Sequence, residues 1–157
     1  MKSPSLARKG GMFIALLCVF SGRALAQELA DAATPAYAAA VELQRLESYQ
    51  LAAEAWSKFL KDFPTDPRAD RAHHYLGVCH LKQQQYEQAA AALQTVVTKF
   101  PQSEVLEPSY LYLGVAQYQL GQAGKAGMYD AAAATLDTLM SKYPEGKYGS
   151  DAMFYRA

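Results

Sequence analysis

The chain of 157 residues carries 15 basic and 15 acidic residues, three histidines and two cysteines, and 51% of its residues are apolar. That length and that apolar fraction are typical of one domain with a hydrophobic core. Residues 1–26 hold four of the basic residues and no acid, so the remainder has a net charge of −4, which excludes the basic surface typical of proteins that bind nucleic acids or anionic lipids.

Residues 1–26 have the three parts of a secretory signal peptide. A basic segment precedes the uninterrupted apolar run MFIALLCVF at 12–20, and Ala24 and Ala26 are the small residues that precede a signal-peptidase site. The apolar run is shorter than the roughly 20 residues that span a bilayer. We therefore expect cleavage after Ala26, export to the periplasm or outer membrane, and no integral membrane span in the mature protein. Residues 27–34 would then form a short linker.

Cys18 lies inside the apolar run and raises the alternative of a lipid-anchored protein. The residue before it is Leu17, where the lipoprotein motif has a small residue, so we favour a plain secretory signal. Cleavage would leave Cys79 as the single cysteine, which excludes a disulfide framework within the chain.

A repeated segment occupies most of the remaining chain. The segments YLGVCHLKQQQYEQAAAALQTVVTKFP at 75–101 and YLGVAQYQLGQAGKAGMYDAAAATLDTLMSKYP at 112–144 align, and YQLAAEAWSKFLKDFP at 49–64 matches their second halves. The closing prolines are 37 and 43 residues apart, and the six-residue excess falls in QAGKAG at 122–127. A turn insertion without a function of its own is the simpler interpretation of that excess, and a functional loop is the alternative.

Each copy is predicted to be a pair of helices. Residues 86–99 carry apolar side chains at spacings of three and four, which indicates one buried helical face, and Pro101 cannot continue the helix. Gly77, Ala89, Gly114 and Ala132 are small residues at aligned positions, where neighbouring helices can approach closely.

On these aligned residues the chain resembles the tetratricopeptide repeat family. The joints FPTDPRADRAHHYLG and YPEGKYGSDAMFYRA are similar to its bacterial envelope branch, which includes a Tol-Pal-associated cell-division coordinator and an outer-membrane assembly lipoprotein. The resemblance implies an all-α fold of antiparallel helix pairs, stacked as a right-handed α-solenoid over residues 35–157. Its copies would be about 35–64, 65–101, 102–144 and the opening of a fourth at 145–157. The first copy departs from the pattern because Ala39 and Ala40 stand where the others have Leu-Gly.

The stretch AHHYLGVCH at 72–80 contains all three histidines and Cys79, and could suggest a metal site. On one helix His73 and His80 face the same way but lie about 10 Å apart along the axis, too far for two ligands of one zinc ion. His74 points elsewhere, so we expect structural histidines and no bound metal. Cys79 aligns with Ala116, which favours a buried and inert thiol.

Sequence patterns of catalysis are also missing. The segment GQAGKAG follows a helix and lacks the Lys-Ser/Thr ending of a phosphate-binding loop, and there is no GxSxG segment. We therefore expect no catalytic residues, no enzymatic activity and no cofactor.

The resemblance implies that the first helix of each copy lines a concave groove that binds a peptide or protein segment. We call the positions that it implies the groove residues: Tyr37, Val41, Gln44 and Arg45 in the first copy; Arg71, His74, Val78, Leu81 and Lys82 in the second; and Leu111, Val115, Tyr118 and Gln119 in the third. Some of them could instead pack against the next copy. The expected function is an exported, non-enzymatic scaffold of the bacterial cell envelope. The alternative is the N-terminal accessory region of a larger envelope enzyme or assembly machine.

The last residues, SDAMFYRA, align with the start of the second and third copies and would open a fourth. Met153, Phe154 and Tyr155 would then be apolar side chains without a cover. We expect either that the natural protein is longer or that these residues dock onto another chain, including a second copy of this one.

Overall fold

The computed structural model describes Gln27 and residues 32–156. Helix α1 covers residues 32–45 and is followed by α2 (Tyr49–Asp62), α3 (Ala69–Lys82), α4 (Tyr86–Lys99), α5 (Leu106–Gln122), α6 (Met128–Lys142) and α7 (Gly149–Arg156). These described residues include no strand. The predicted all-α fold of stacked helix pairs is therefore confirmed. The signal peptide, its alternative at Cys18 and the final Ala157 lie outside the described residues.

In the second and third copies the two helices meet where a glycine faces a leucine. A Cβ atom added to Gly77 on α3 would lie 2.5 Å from Cγ of Leu93 on α4, and one added to Gly114 would lie 2.5 Å from Cδ2 of Leu136. Both leucines are fully buried. The repeated glycine is therefore required by close helix packing, as the alignment predicted.

The turn between the two helices begins in the same way in all three copies. The residue two positions after the first helix ends has a positive φ, at Glu47 (φ 56°), Gln84 (φ 59°) and Gly124 (φ 82°). In each case the backbone N–H of that residue donates to the carbonyl oxygen three residues earlier. Glycine, the residue best suited to positive φ, occupies this position only in the third copy, whose connection has a second residue of positive φ, Gly127.

The six extra residues of the third copy do not all form a loop. Helix α5 has 17 residues where α3 has 14, so three of the extra residues add almost one helical turn. Two more lengthen the connection from three residues to five, and one makes α6 15 residues long where α4 has 14. The connection ends at Gly127 in the left-handed conformation, directly before α6. Of the insertion at 122–127, Gln122 is thus the last residue of α5 and residues 123–127 form the connection.

Polar contacts join the second copy to the third. They run from α3 to α5 and to the turn that precedes α5. The His74 imidazole and the Ser109 hydroxyl are 2.8 Å apart and both side chains are buried. Ser103 donates a hydrogen bond to Asp70, and Arg71 forms an ion pair with Glu104. These contacts set the angle at which the third copy follows the second.

Helix α7 packs onto the third copy as the alignment predicted for the start of a fourth. Ala152 is fully buried, and the ring of Tyr155 makes an edge contact with Tyr118 at 5.6 Å. Met153 and Phe154 are 65% and 74% exposed. The prediction of an uncovered patch is therefore right for these two residues, whereas Tyr155 is half-buried and its ring contacts Tyr118.

The first helix begins earlier than predicted. Residues 32–34 are helical, although they were assigned to the linker, and Ala33 is 1% exposed in the core of the first copy. Its small side chain allows α1 to approach the aromatic rings of α2. No helix among Gln27 and residues 32–156 has the length and apolar character needed to cross a bilayer.

Candidate functional site

The four groove residues of α1 surround one open cavity. The first-copy cavity has a volume of about 430 Å³ and is lined by Tyr37, Val41, Gln44, Arg45, Trp56 and Tyr75. Val41 is 41% exposed at this site. The helical spacing of three and four residues puts these α1 side chains on one face, and the four positions are those that the family resemblance implied.

Trp56 forms the floor of the first-copy cavity. Its indole is fully buried, and its Nε1–H donates a hydrogen bond of 2.9 Å to Oε1 of Gln44. The Tyr75 ring is stacked on the indole at 5.5 Å, while the Tyr37 ring meets it edge-on at 4.9 Å. The cavity therefore has an aromatic base and a rigid amide at its side.

Two charged pairs flank the first-copy cavity. Arg45 donates to both carboxylate oxygens of Glu42 at 2.9 and 2.7 Å, and these bonds hold the pKa of Glu42 below its usual value. The guanidinium of Arg68 lies 4.8 Å from the centre of the Tyr37 ring and also donates to Asp66. Burial raises the pKa of Tyr37, so its hydroxyl stays protonated at neutral pH and can donate a hydrogen bond.

The groove residues of α3 and α5 are divided between surface and interior. Of the α3 positions, Val78 and Leu81 are half-buried, Lys82 is exposed, and Arg71 is partly exposed in its ion pair with Glu104. On α5, Val115, Tyr118 and Gln119 are half-buried. These positions leave surface that a bound segment could contact.

Two predicted groove residues are not available as surface. His74 is 6% exposed and Leu111 is 5% exposed. His74 is held by Ser109 of the next copy and lies beside the rings of Tyr75 and Tyr112. For these two positions the alternative interpretation, that a groove residue packs against the neighbouring copy, is the correct one.

Tyr75 and Trp56 belong to the first-copy cavity but were missed by sequence reasoning. Tyr75 directly follows the predicted residue His74 and turns toward Trp56 of the preceding copy. A tyrosine stands two residues before the glycine in both complete later copies, at Tyr75 and Tyr112. That recurrence was the signal that could have identified Tyr75, while Trp56 belongs to a second helix, which the groove pattern does not include.

The histidines have three different surroundings. His73 packs against Phe100 with ring centres 6.1 Å apart, and Nδ1 of His80 lies 2.7 Å from Oε1 of Gln85. Burial lowers the pKa of His74 to about 4. His73 and His80 thus contact the residues that flank α4 on either side, as expected of structural histidines. Residues 32–156 and Gln27 contain no group of three or more histidine, cysteine, aspartate or glutamate side chains placed to hold a metal ion.

Cys79 is buried as predicted. Its side chain is 0% exposed, and its Sγ lies 3.7 Å from Oε1 of Gln44. Burial raises the pKa of the thiol to about 11, so the thiolate form that acts as a nucleophile is scarce at neutral pH.

Comparisons with known proteins agree with the repeat pattern. A family model described as the tetratricopeptide repeat matches residues 37–104, and a second model of the same description matches residues 109–146. The first match spans the pairs α1–α2 and α3–α4 except for the first five residues of α1, and the second contains α5 and α6 except for the first three residues of α5. A comparison with curated proteins finds no match.

Proposed function

Because two matches of one description cover more than half of its length, this chain belongs to the tetratricopeptide repeat family, and we propose that it is an exported, non-enzymatic scaffold of the bacterial cell envelope. It binds a segment of a partner protein in the concave groove. The family supports a role in protein–protein interaction, whereas the envelope location rests on the signal-peptide pattern of residues 1–26 and on the resemblance of the repeat joints.

The main support for the proposal is the first-copy cavity. Four predicted groove residues line it, and its lining combines exposed apolar surface at Val41 with an amide residue and two tyrosines. Sites that recognise peptides combine apolar contacts, which supply affinity, with a few fixed polar groups that set orientation. The high pKa of Cys79 and the low pKa of His74 provide no activated nucleophile and no base poised near neutral pH.

Site-specific cross-linking tests the groove. A photoreactive residue replaces Val41, Val78 or Val115 in turn, and the control carries it at Gln88, which is exposed on α4. We expect the same protein to be cross-linked from at least two of the groove positions and not from Gln88. Once purified, that protein should form a complex with this chain. Equal linking at Gln88, or no complex, would contradict the proposal.

N-terminal sequencing of the protein from a bacterial envelope fraction tests export. We expect the mature chain to begin at Gln27. A retained Met1, or lipid attached to Cys18, would overturn the proposed cleavage. The alternative role, an accessory region of a larger envelope enzyme, requires a catalytic centre encoded after residue 157, which the sequence of the full reading frame would reveal.

A further inference from the structure

The buried imidazole of His74 carries its proton on Nδ1. The Ser109 hydroxyl donates its hydrogen to the carbonyl oxygen of Val105 at 2.6 Å, so it accepts a hydrogen bond from Nδ1 of His74, which lies 2.8 Å away. Acid can therefore add a proton only to Nε2. The hydrogen bond to Ser109 is the same before and after this step, and what changes is the charge of a side chain that is 6% exposed.

Burial is the main influence on the charge of His74. It lowers the pKa of the ring to about 4, and the carboxylate of Asp70, one turn earlier on α3, offsets only part of this effect. The rings of Tyr75 on α3 and Tyr112 on α5 lie beside it, with centres 5.3 and 5.8 Å away. In the part of the chain that the structure describes, α2 and α4 add no charge that acts on His74. A positive charge on this ring therefore requires that water reach it.

The contact between α3 and α5 lies outside the two apolar clusters of the protein. Helices α1, α2 and α3 build one cluster, and α4, α5, α6 and α7 build the other. Besides His74, α3 reaches the third copy through the hydrogen bond from Ser103 to Asp70 and the ion pair of Arg71 with Glu104. The Glu104 side chain is 80% exposed, and ion pairs with such exposure contribute little to stability. Separation of α3 from α5 thus leaves both clusters intact.

Helix α4 connects the two clusters on the other side of this contact. Its Leu93 faces Gly77 of α3, and its Val96 belongs to the same cluster as Leu106 of α5. Helices α3 and α5 can therefore move apart while α4 stays packed against both. Such a movement changes the angle between the second and third copies, and with it the spacing between the groove residues of α3 and those of α5.

We propose that the contact between α3 and α5 opens when His74 is protonated, so that mild acid changes the shape of the groove between the second and third copies while the helices stay folded. In the open form water reaches the ring, and its pKa returns toward the ordinary value of about 6.5. Because the pKa is about 4 in the closed form, the ratio of open to closed molecules rises as the pH falls between these values, by up to about 300-fold.

Spin labels in the first and third copies measure the opening. Cys18 and Cys79 are both replaced by alanine, so that no other thiol carries a label. Ser57→Cys on α2 and Ser141→Cys on α6 then place the labels at exposed positions. We expect the distance between them, measured by electron paramagnetic resonance, to change between about pH 7.5 and about pH 4.5, while the helix content measured by circular dichroism stays constant. A control pair at Ser57→Cys and Gln88→Cys, within the first two copies, should keep its distance.

Variants of two histidines show whether His74 is the cause. His74→Gln removes the titrating ring and keeps an N–H group for Ser109, so the distance between the labels should be the same at both pH values. His80→Gln is the matched control, because the His80 ring contacts Gln85 beside α4, and it should behave like the original protein. His74→Leu, which takes the residue of the aligned position Leu111, replaces His74→Gln in the test if that variant does not fold.

The inference would be overturned by a label distance that stays constant down to about pH 4.5 in folded protein, or by an equal change in a folded His74→Gln or His74→Leu protein. Loss of helix content before the distance changes would also overturn it, since the contact would then be no weaker than the rest of the fold. An equal change in the control pair within the first two copies would place the movement elsewhere.

Discussion

Substitution of Gly77 by alanine tests the close packing of the two helices within a copy. The added Cβ would lie 2.5 Å from Cγ of Leu93, and Leu93 cannot move into solvent because it is 0% exposed. Overpacking of a core costs about 1–3 kcal/mol, while alanine gains about 1 kcal/mol over glycine in helix propensity. We expect a net loss of up to about 2 kcal/mol of folding free energy.

Thermal unfolding followed by circular dichroism measures this loss. For a domain of this size we expect Gly77→Ala to lower the Tm by up to about 8 °C. Gly149→Ala is the matched control, because a Cβ atom at this helical position would meet nothing within 4 Å. The control should leave the Tm unchanged or raise it slightly through its higher helix propensity.

The same substitution in a Leu93→Ala protein shows whether contact with Leu93 causes the loss of stability. In Leu93→Ala protein, which itself should lose about 2–5 kcal/mol, the clash is removed and Gly77→Ala should become stabilising. Gly114→Ala should repeat the effect against Leu136 in the third copy. If Gly77→Ala were as stable as Gly149→Ala, or if the Leu93→Ala background left its cost unchanged, the packing argument would be wrong.

Three further predictions concern a buried histidine, the buried thiol and the exposed end of the chain. The pKa of His74 is about 4 in the folded protein and about 6.5 in the unfolded chain. The unfolded chain therefore binds more protons between these values, and stability should fall by up to about 3 kcal/mol as the pH drops through this window. His74→Leu, which takes the residue of the aligned position Leu111, should reduce this dependence in denaturant titrations at several pH values, and an unchanged slope would refute the assignment. Cys79 should react with a thiol reagent far more slowly in the native mature protein than in denaturant, and equal rates would show that it is accessible. Phe154→Ser should reduce any concentration-dependent association seen by light scattering, whereas association that persists unchanged would place the contact elsewhere.

The repeat and most of its packing could be predicted from the sequence. The apolar spacing along residues 86–99 and the closing Pro101 predicted a helix, because helical periodicity and the exclusion of proline from a helix are local properties. The alignment of copies put Cys79 in the core, since its aligned residue is the small Ala116. The four groove residues of α1 came from the family resemblance, and the structure has them around the first-copy cavity.

The tertiary structure decided which of the groove residues can meet a partner. His74 and Leu111 occupy groove positions by alignment, yet each is covered by contacts between copies, and burial of this kind depends on the angle at which the copies stack. The extra residues of the third copy are divided among α5, α6 and the connection between them, although their sequence looks like a loop. The orientation of Gln44 likewise has no local cause. It follows from the donor-only indole of Trp56 on another helix, a pairing across 12 residues that exists only after α1 and α2 have packed together.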